Sequence, residues 1–155
     1  MNTDDIMKEL ISALRQLYQK DYSLIDRKCN ERSIVFRLGI YLNDIFEKNG
    51  FDVDCEYNRN GNNPKKLESR KYNYPDLIVH KRESNQENLL IVEVKTENDT
   101  IQNHINNDID KLIGFTSEED YKYTLGAHVF ISNKECEIEW YSNGRSVNSS
   151  IIKFE

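Results

Sequence analysis

The stretch YPDLIVHKRESNQENLLIVEVKT, residues 74–96, decides the fold. Its two apolar runs, Leu77-Ile78-Val79 and Leu89-Leu90-Ile91-Val92, flank a polar loop and read as a pair of strands buried on both faces. Asp76, Glu93 and Lys95 sit at the edges of those runs. A strand sends alternate side chains to the same face, so Glu93 and Lys95 project together, with Leu89 and Ile91 behind them. A hairpin turning around Ser84–Gln86 sets Asp76 opposite either Glu93 or Lys95, and both registers put it on their face. Pro75 fixes the strand entrance and keeps Tyr74 extended. The expected result is two carboxylates and one ammonium at one end of an apolar hairpin. Buried carboxylates are costly unless paired or metal-bound. A hard divalent cation such as Mg²⁺ takes one or two carboxylates and keeps several waters.

Working outward, helical spacing of Ile6, Leu10, Leu14 and Leu17 predicts a first helix over 3–20. A second is predicted over about 30–48, with the stripe Val35, Leu38, Leu42 and Ile45 and a stop at Asn49-Gly50. Glu31 continues that stripe toward the amino terminus, although an acid in a first helical turn also suits the helix dipole. Phe51, Val53, Cys55 and Tyr57 alternate with acids as a half-buried strand. After Thr96, Ile101, Ile105, Ile109, Leu112 and Ile113 predict a helix that Asn98 or Asp99 can cap. YTLGAHVFIS reads as a buried strand, and the final twenty residues read as strands around Ser142-Asn143-Gly144. The order ααβββαβββ points to an α/β (α+β) mixed sheet with helices packed on it.

The 155 residues, 37% hydrophobic and 31% charged, suit one globular domain with a real core. No apolar run approaches a membrane span, and the acidic start lacks a signal-peptide layout, so a cytoplasmic protein is expected. Cys29, Cys55 and Cys136 show no metal or disulfide spacing and read as buried free thiols. His80, His104 and His128 are scattered and read as ordinary polar or core histidines. A net charge of −6 argues against gripping nucleic acid through the overall field. One local basic segment, residues 59–71, gathers Arg59, Lys65, Lys66, Arg70 and Lys71; a solvated loop is the competing reading.

Pro75-Asp76, followed seventeen positions after Asp76 by Glu93-Val94-Lys95 in an apolar strand, resembles the PD-(D/E)XK nuclease superfamily. Asp26-Arg27-Lys28 and Asp120-Tyr121-Lys122 match the bare triplet without that context. The resemblance implies a restriction-endonuclease-like αβββαβ core over about 29–132, with an additional first helix and final β-hairpin in one domain spanning 1–155. It implies that Asp76 and Glu93 ligate Mg²⁺ or Mn²⁺, with the Val94 carbonyl and Glu31 as further ligands. Lys95 then orients the attacking water. Asp76, Glu93, Lys95 and Glu31 are thus the expected catalytic set of a metal-dependent nuclease, acting on DNA rather than RNA. Lys65, Lys66, Arg70, Lys71 and Lys111 are the candidate nucleic-acid contacts, and Tyr72 and Tyr74 could stack on an unpaired base. Asp108 is expected to be structural. A homodimer or a targeting partner protein is expected to supply duplex cutting or recognition, because no DNA-reading module is legible. Two other readings stay open: a catalytically idle member of the fold that binds nucleic acid or protein, and an acidic interaction protein.

Overall fold

The computed structural model describes residues 1–57, 59–60, 63–68 and 74–154; Arg70, Lys71 and Tyr72 lie outside the described residues. Helices α1 (Thr3–Lys20), α2 (Tyr22–Asp26) and α3 (Glu31–Phe46) come first. Strands β1 (Asp52–Cys55), β2 (Leu77–His80) and β3 (Leu90–Thr96) follow. Helix α4 (Gln102–Ser117) then leads to β4 (Leu125–Ile131), β5 (Glu135–Ser142) and β6 (Arg145–Lys153). One six-stranded sheet runs in the order β1-β2-β3-β4-β5-β6. Every pair is antiparallel except β3–β4, whose parallel connection is made by α4. From α3 to β4 the elements follow the expected αβββαβ order within a mixed α/β architecture.

Strands β2 and β3 are buried on both faces, which explains their near-continuous apolar sequence. On one face Leu77, Val79, Leu90, Val92 and Val94 pack with Leu10, Leu14 and Leu17 of α1 and with Leu38, Leu42 and Phe46 of α3. On the other, Ile78 and Ile91 pack with Leu112 and Phe115 of α4 and with Leu67, Tyr121, Tyr123 and Tyr141. The sheet is therefore the middle of three layers. Asn2 and Asn30 cap α1 and α3 by accepting from Asp5 N–H and Arg32 N–H. Gly50, at φ +79°, takes the left-handed turn that ends the 3-10 extension Glu47–Asn49.

Several expectations are corrected. The buried face of α4 is Asp108, Leu112, Phe115 and Thr116. Ile101 and Ile113 are exposed, and Ile105 and Ile109 are half-buried, because the helix is rotated to bring Asp108 inward. Ile101 occupies the N-cap of α4 without a side-chain bond, while Asp99 accepts from the Ile101 N–H just outside the helix. Leu89, ahead of β3, packs in the α1/α3 core instead of behind Glu93. Cys136 is buried, but Cys29, between α2 and α3, is half-buried, and Cys55 is exposed at the end of β1, the sheet's edge strand. The first helix and final hairpin lie outside the αβββαβ order yet share its larger core. Among the described residues, no helix is long and apolar enough to cross a membrane.

Candidate active site

The register Leu77↔Val92 between β2 and β3, continued one position, sets Asp76 across from Glu93. A hydrogen bond from Val94 N–H to Asp76 Oδ2 at 2.8 Å fixes the carboxylate there. Strand parity puts Asp76, Glu93 and Lys95 on the α4 face, in line with Ile78 and Ile91. Glu93 is 1% exposed. Its Oε2 accepts from Lys111 Nζ at 2.8 Å, while its Oε1 is buried without a hydrogen-bond donor among the described residues. Lys95 Nζ lies 2.9 Å from Asp108 Oδ2, 3.6 Å from Glu31 Oε1 and 3.8 Å from Asp99 Oδ2. Glu31 arrives from the opposite layer at the start of α3, and its Oε2 is likewise buried without a donor.

Charge accumulates faster than it is neutralised. Among the described residues, the cations facing Glu31, Asp76, Glu93 and Asp108 are Lys95 and Lys111, with His128 Nε2 3.7 Å from Asp108 Oδ2. Burial raises the Glu93 carboxyl well above its usual range, and the neighbouring Asp76 charge adds to the rise. Burial also raises Asp76 against the pull of the Val94 N–H, and raises Glu31 against the pull of Lys95. The lysines move the other way. Burial opposes their charge, but Asp108 and Glu31 hold Lys95 above its normal value, and Glu93 and Asp108 do so for Lys111. Asp108 itself is lowered, since contacts with His128 and Lys95 outweigh its burial.

The structure thus brings Asp76, Glu93, Lys95, Glu31 and Lys111 together around the end of β3. Asp108, expected to be structural, sits between both lysines. Its three-residue spacing from Lys111 along α4 is the signal that places the pair on one helical face. Among the described residues, no three acidic, histidine or cysteine side chains converge as a ready-made metal group. What is present is a facing pair, Asp76 and Glu93, with one unpartnered buried oxygen on Glu93, which fits a hydrated divalent ion better than a fully protein-caged one. A cleft of about 260 Å³, lined by Glu31, Arg32, Val35, Phe36, Cys55, Glu56 and Asp76, opens onto this centre.

The candidate nucleic-acid contacts divide. Lys66 is exposed, but Lys65 is 1% exposed, with its ammonium 5.3–6.0 Å from the ring centroids of Tyr57, Phe115, Tyr121 and Tyr123. An ammonium enclosed by four rings does not present itself to a phosphate, so Lys65 is a core residue. Lys111 is committed to carboxylates, and Tyr74, 57% exposed, borders the site through its carbonyl contact with Lys111.

A family model described as the VRR-NUC domain matches residues 43–123, a span containing Asp76, Glu93, Lys95, Asp108 and Lys111 but not Glu31. No curated protein matches the chain. Among solved structures, a cryoEM structure of a DrdV–DNA complex is similar at a TM-score of 0.55 and 20% identity. That likeness covers 88% of this chain but only 12% of the DrdV chain, and it bears on the fold. With a nuclease-type strand pair at its centre and more than half its length matched, the chain belongs to the VRR-NUC domain family, a PD-(D/E)XK-like nuclease family.

Proposed function

We propose that this protein is a divalent-metal-dependent nuclease that hydrolyses phosphodiester bonds in DNA at the end of β3. The observation that carries the proposal is the β2–β3 register, which faces Asp76 with Glu93 and aligns Lys95 two positions on. Asp76 and Glu93 would hold Mg²⁺ or Mn²⁺ with the Val94 carbonyl, and Glu31 would reach it directly or through water. When bound, such an ion lowers the pKa of water and offsets charge on the phosphate.

The chain's own residues supply the rest. Asp108 and Glu31 keep Lys95 charged, so Lys95 is unsuited to taking up a proton as a base. It acts instead by orienting the attacking water and stabilising negative charge at phosphorus. In-line attack by water would form the new P–O bond as the bond to the 3′ oxygen breaks, the water's proton passing to solvent and the departing 3′ oxygen taking one up, leaving 5′-phosphate and 3′-hydroxyl ends. The exposed Tyr74, two positions before Asp76, provides a stacking surface for an unpaired base, worth typically ~1–3 kcal/mol. DNA is favoured over RNA because the similar DrdV structure is a DNA complex. Cutting both strands of a duplex calls for a second copy or a partner protein.

The test incubates purified protein with single-stranded DNA, duplex DNA and RNA in Mg²⁺, Mn²⁺ or EDTA, alongside Asp76→Ala and Lys95→Ala. Metal-dependent cleavage of DNA by wild type, lost in both variants, is the expected outcome. Equal cleavage by the variants would assign the activity to a contaminant. Tight metal-independent binding without cleavage would establish the idle reading instead.

A further inference from the structure

We infer that Lys111 is a built-in cation that limits the active site to a single divalent ion. The inference rests on the metal-dependent reading above and specifies the stoichiometry of that site.

Position comes first. Lys111 is 14% exposed in its side chain, and its Nζ lies 2.8 Å from Glu93 Oε2, 3.5 Å from Asp108 Oδ1 and 3.4 Å from the Tyr74 carbonyl oxygen. Its close hydrogen bond goes to Glu93 Oε2, with a longer one to the Tyr74 carbonyl and an ionic contact to Asp108, so the ammonium is engaged with the acids of the centre. The helix that carries it is held against the sheet by Leu112 and Phe115, both fully buried, which fixes the direction from which the ammonium arrives.

Glu93 is consequently divided. Oε2 is taken by Lys111, while Oε1 is buried and unpartnered. A pair of metal ions a few ångströms apart acts as a clamp on both reacting oxygens. Here the second half of the Glu93 carboxylate already holds a positive charge delivered by the protein.

The experiment counts Mn²⁺ bound to the full chain by titration calorimetry and by depletion of the free-ion EPR signal, in the absence of nucleic acid. Wild type, Lys111→Met and Lys111→Arg are compared, with circular-dichroism melts to establish folding and Lys111→Gln as the substitute if the methionine variant does not fold. One ion per chain is expected in wild type and in Lys111→Arg, rising to two in the uncharged variant. Two ions in wild type, or one in a folded uncharged variant, would overturn the inference while leaving metal dependence intact. No Mn²⁺ bound to wild type at all would overturn the metal-dependent reading together with the inference.

Discussion

Lys95 keeps its charge because of Asp108. Burial works against an ammonium at this position, and the 2.9 Å contact with Asp108, backed by Glu31, more than offsets it. Replacing Asp108 by Asn removes a charge shared by both lysines while keeping the side chain's shape. Lys95 is then free to divide its time between Glu31 and Asp99, and its pKa falls. Positioning partners of this kind typically cost ~10–100-fold in activity when lost. A drop of that order in kcat, with KM for DNA little changed and a modestly lower Tm, is expected for Asp108→Asn in steady-state assays paired with thermal melts. An unchanged kcat would show that Lys95 is held by its remaining partners alone. The charged triplet itself was legible in the sequence, because strand parity forces Asp76, Glu93 and Lys95 to one face whichever hairpin register forms. Asp108 was not, since which face of a helix points inward depends on what packs against it.

At the scale of elements, α4 shows why periodicity misled. Ile101, Ile105, Ile109 and Ile113 repeat every four positions, and that row drifts around a helix of 3.6 residues per turn. Leu112 of the expected set is buried and Ile109 packs beside it, but the inward row is completed by Asp108, Phe115 and Thr116, chosen jointly by the apolar sheet face and by the lysines that Asp108 pairs. The loop before β2 holds a second surprise, the ammonium of Lys65 inside a box of four aromatic rings. Those rings come from Tyr57 beyond the end of β1, from α4 and from Tyr121 and Tyr123, so no local pattern could announce the box. Burial depresses the Lys65 pKa from 10.5 to about 8. A depressed lysine costs the fold stability; the cost is complete below the folded value and disappears as pH rises through the unfolded one. Lys65→Met should therefore be more stable than wild type near neutrality, by roughly 1–3 kcal/mol once the lost ring contacts are allowed for. The advantage should shrink as pH rises from about 8 to 10.5, where wild type sheds the penalty. Urea melts across that range provide the check, and a less stable Lys65→Met would mean that the ring contacts outweigh desolvation.

For the whole molecule, a charge of −6 means that the proposed nuclease would attract a polyanion by local means, through the divalent ion it would hold, Lys95 and the exposed basic residues. The sheet's order was largely readable, because the alternating run, then the continuous apolar runs, then the turn-bounded pair follow one another along the chain. How much of the chain the fold needs was less readable. The αβββαβ core expected over 29–132 omits α1 and the β5–β6 hairpin, yet Ile6, Leu10, Leu14 and Leu17 are fully buried, as are Ile138, Trp140 and Ile152 to within 5%. These side chains pack in the same cluster as Leu77, Leu90 and Val92, directly beneath the strands that carry Asp76 and Glu93. At about 1.5–3 kcal/mol for each large apolar side chain buried, their removal forfeits on the order of 10–20 kcal/mol. A domain has only about 5–15 kcal/mol of net stability to lose. Taking away β5 also strips β4 of its outer neighbour and exposes a long apolar strand edge. A fragment covering 29–132 is therefore expected to show no cooperative urea transition and to aggregate, whereas the full chain unfolds in a single step. A fragment that melted cooperatively would mean that the active-site strands are supported by α3 and α4 alone, and that the outer elements serve some purpose other than completing the core.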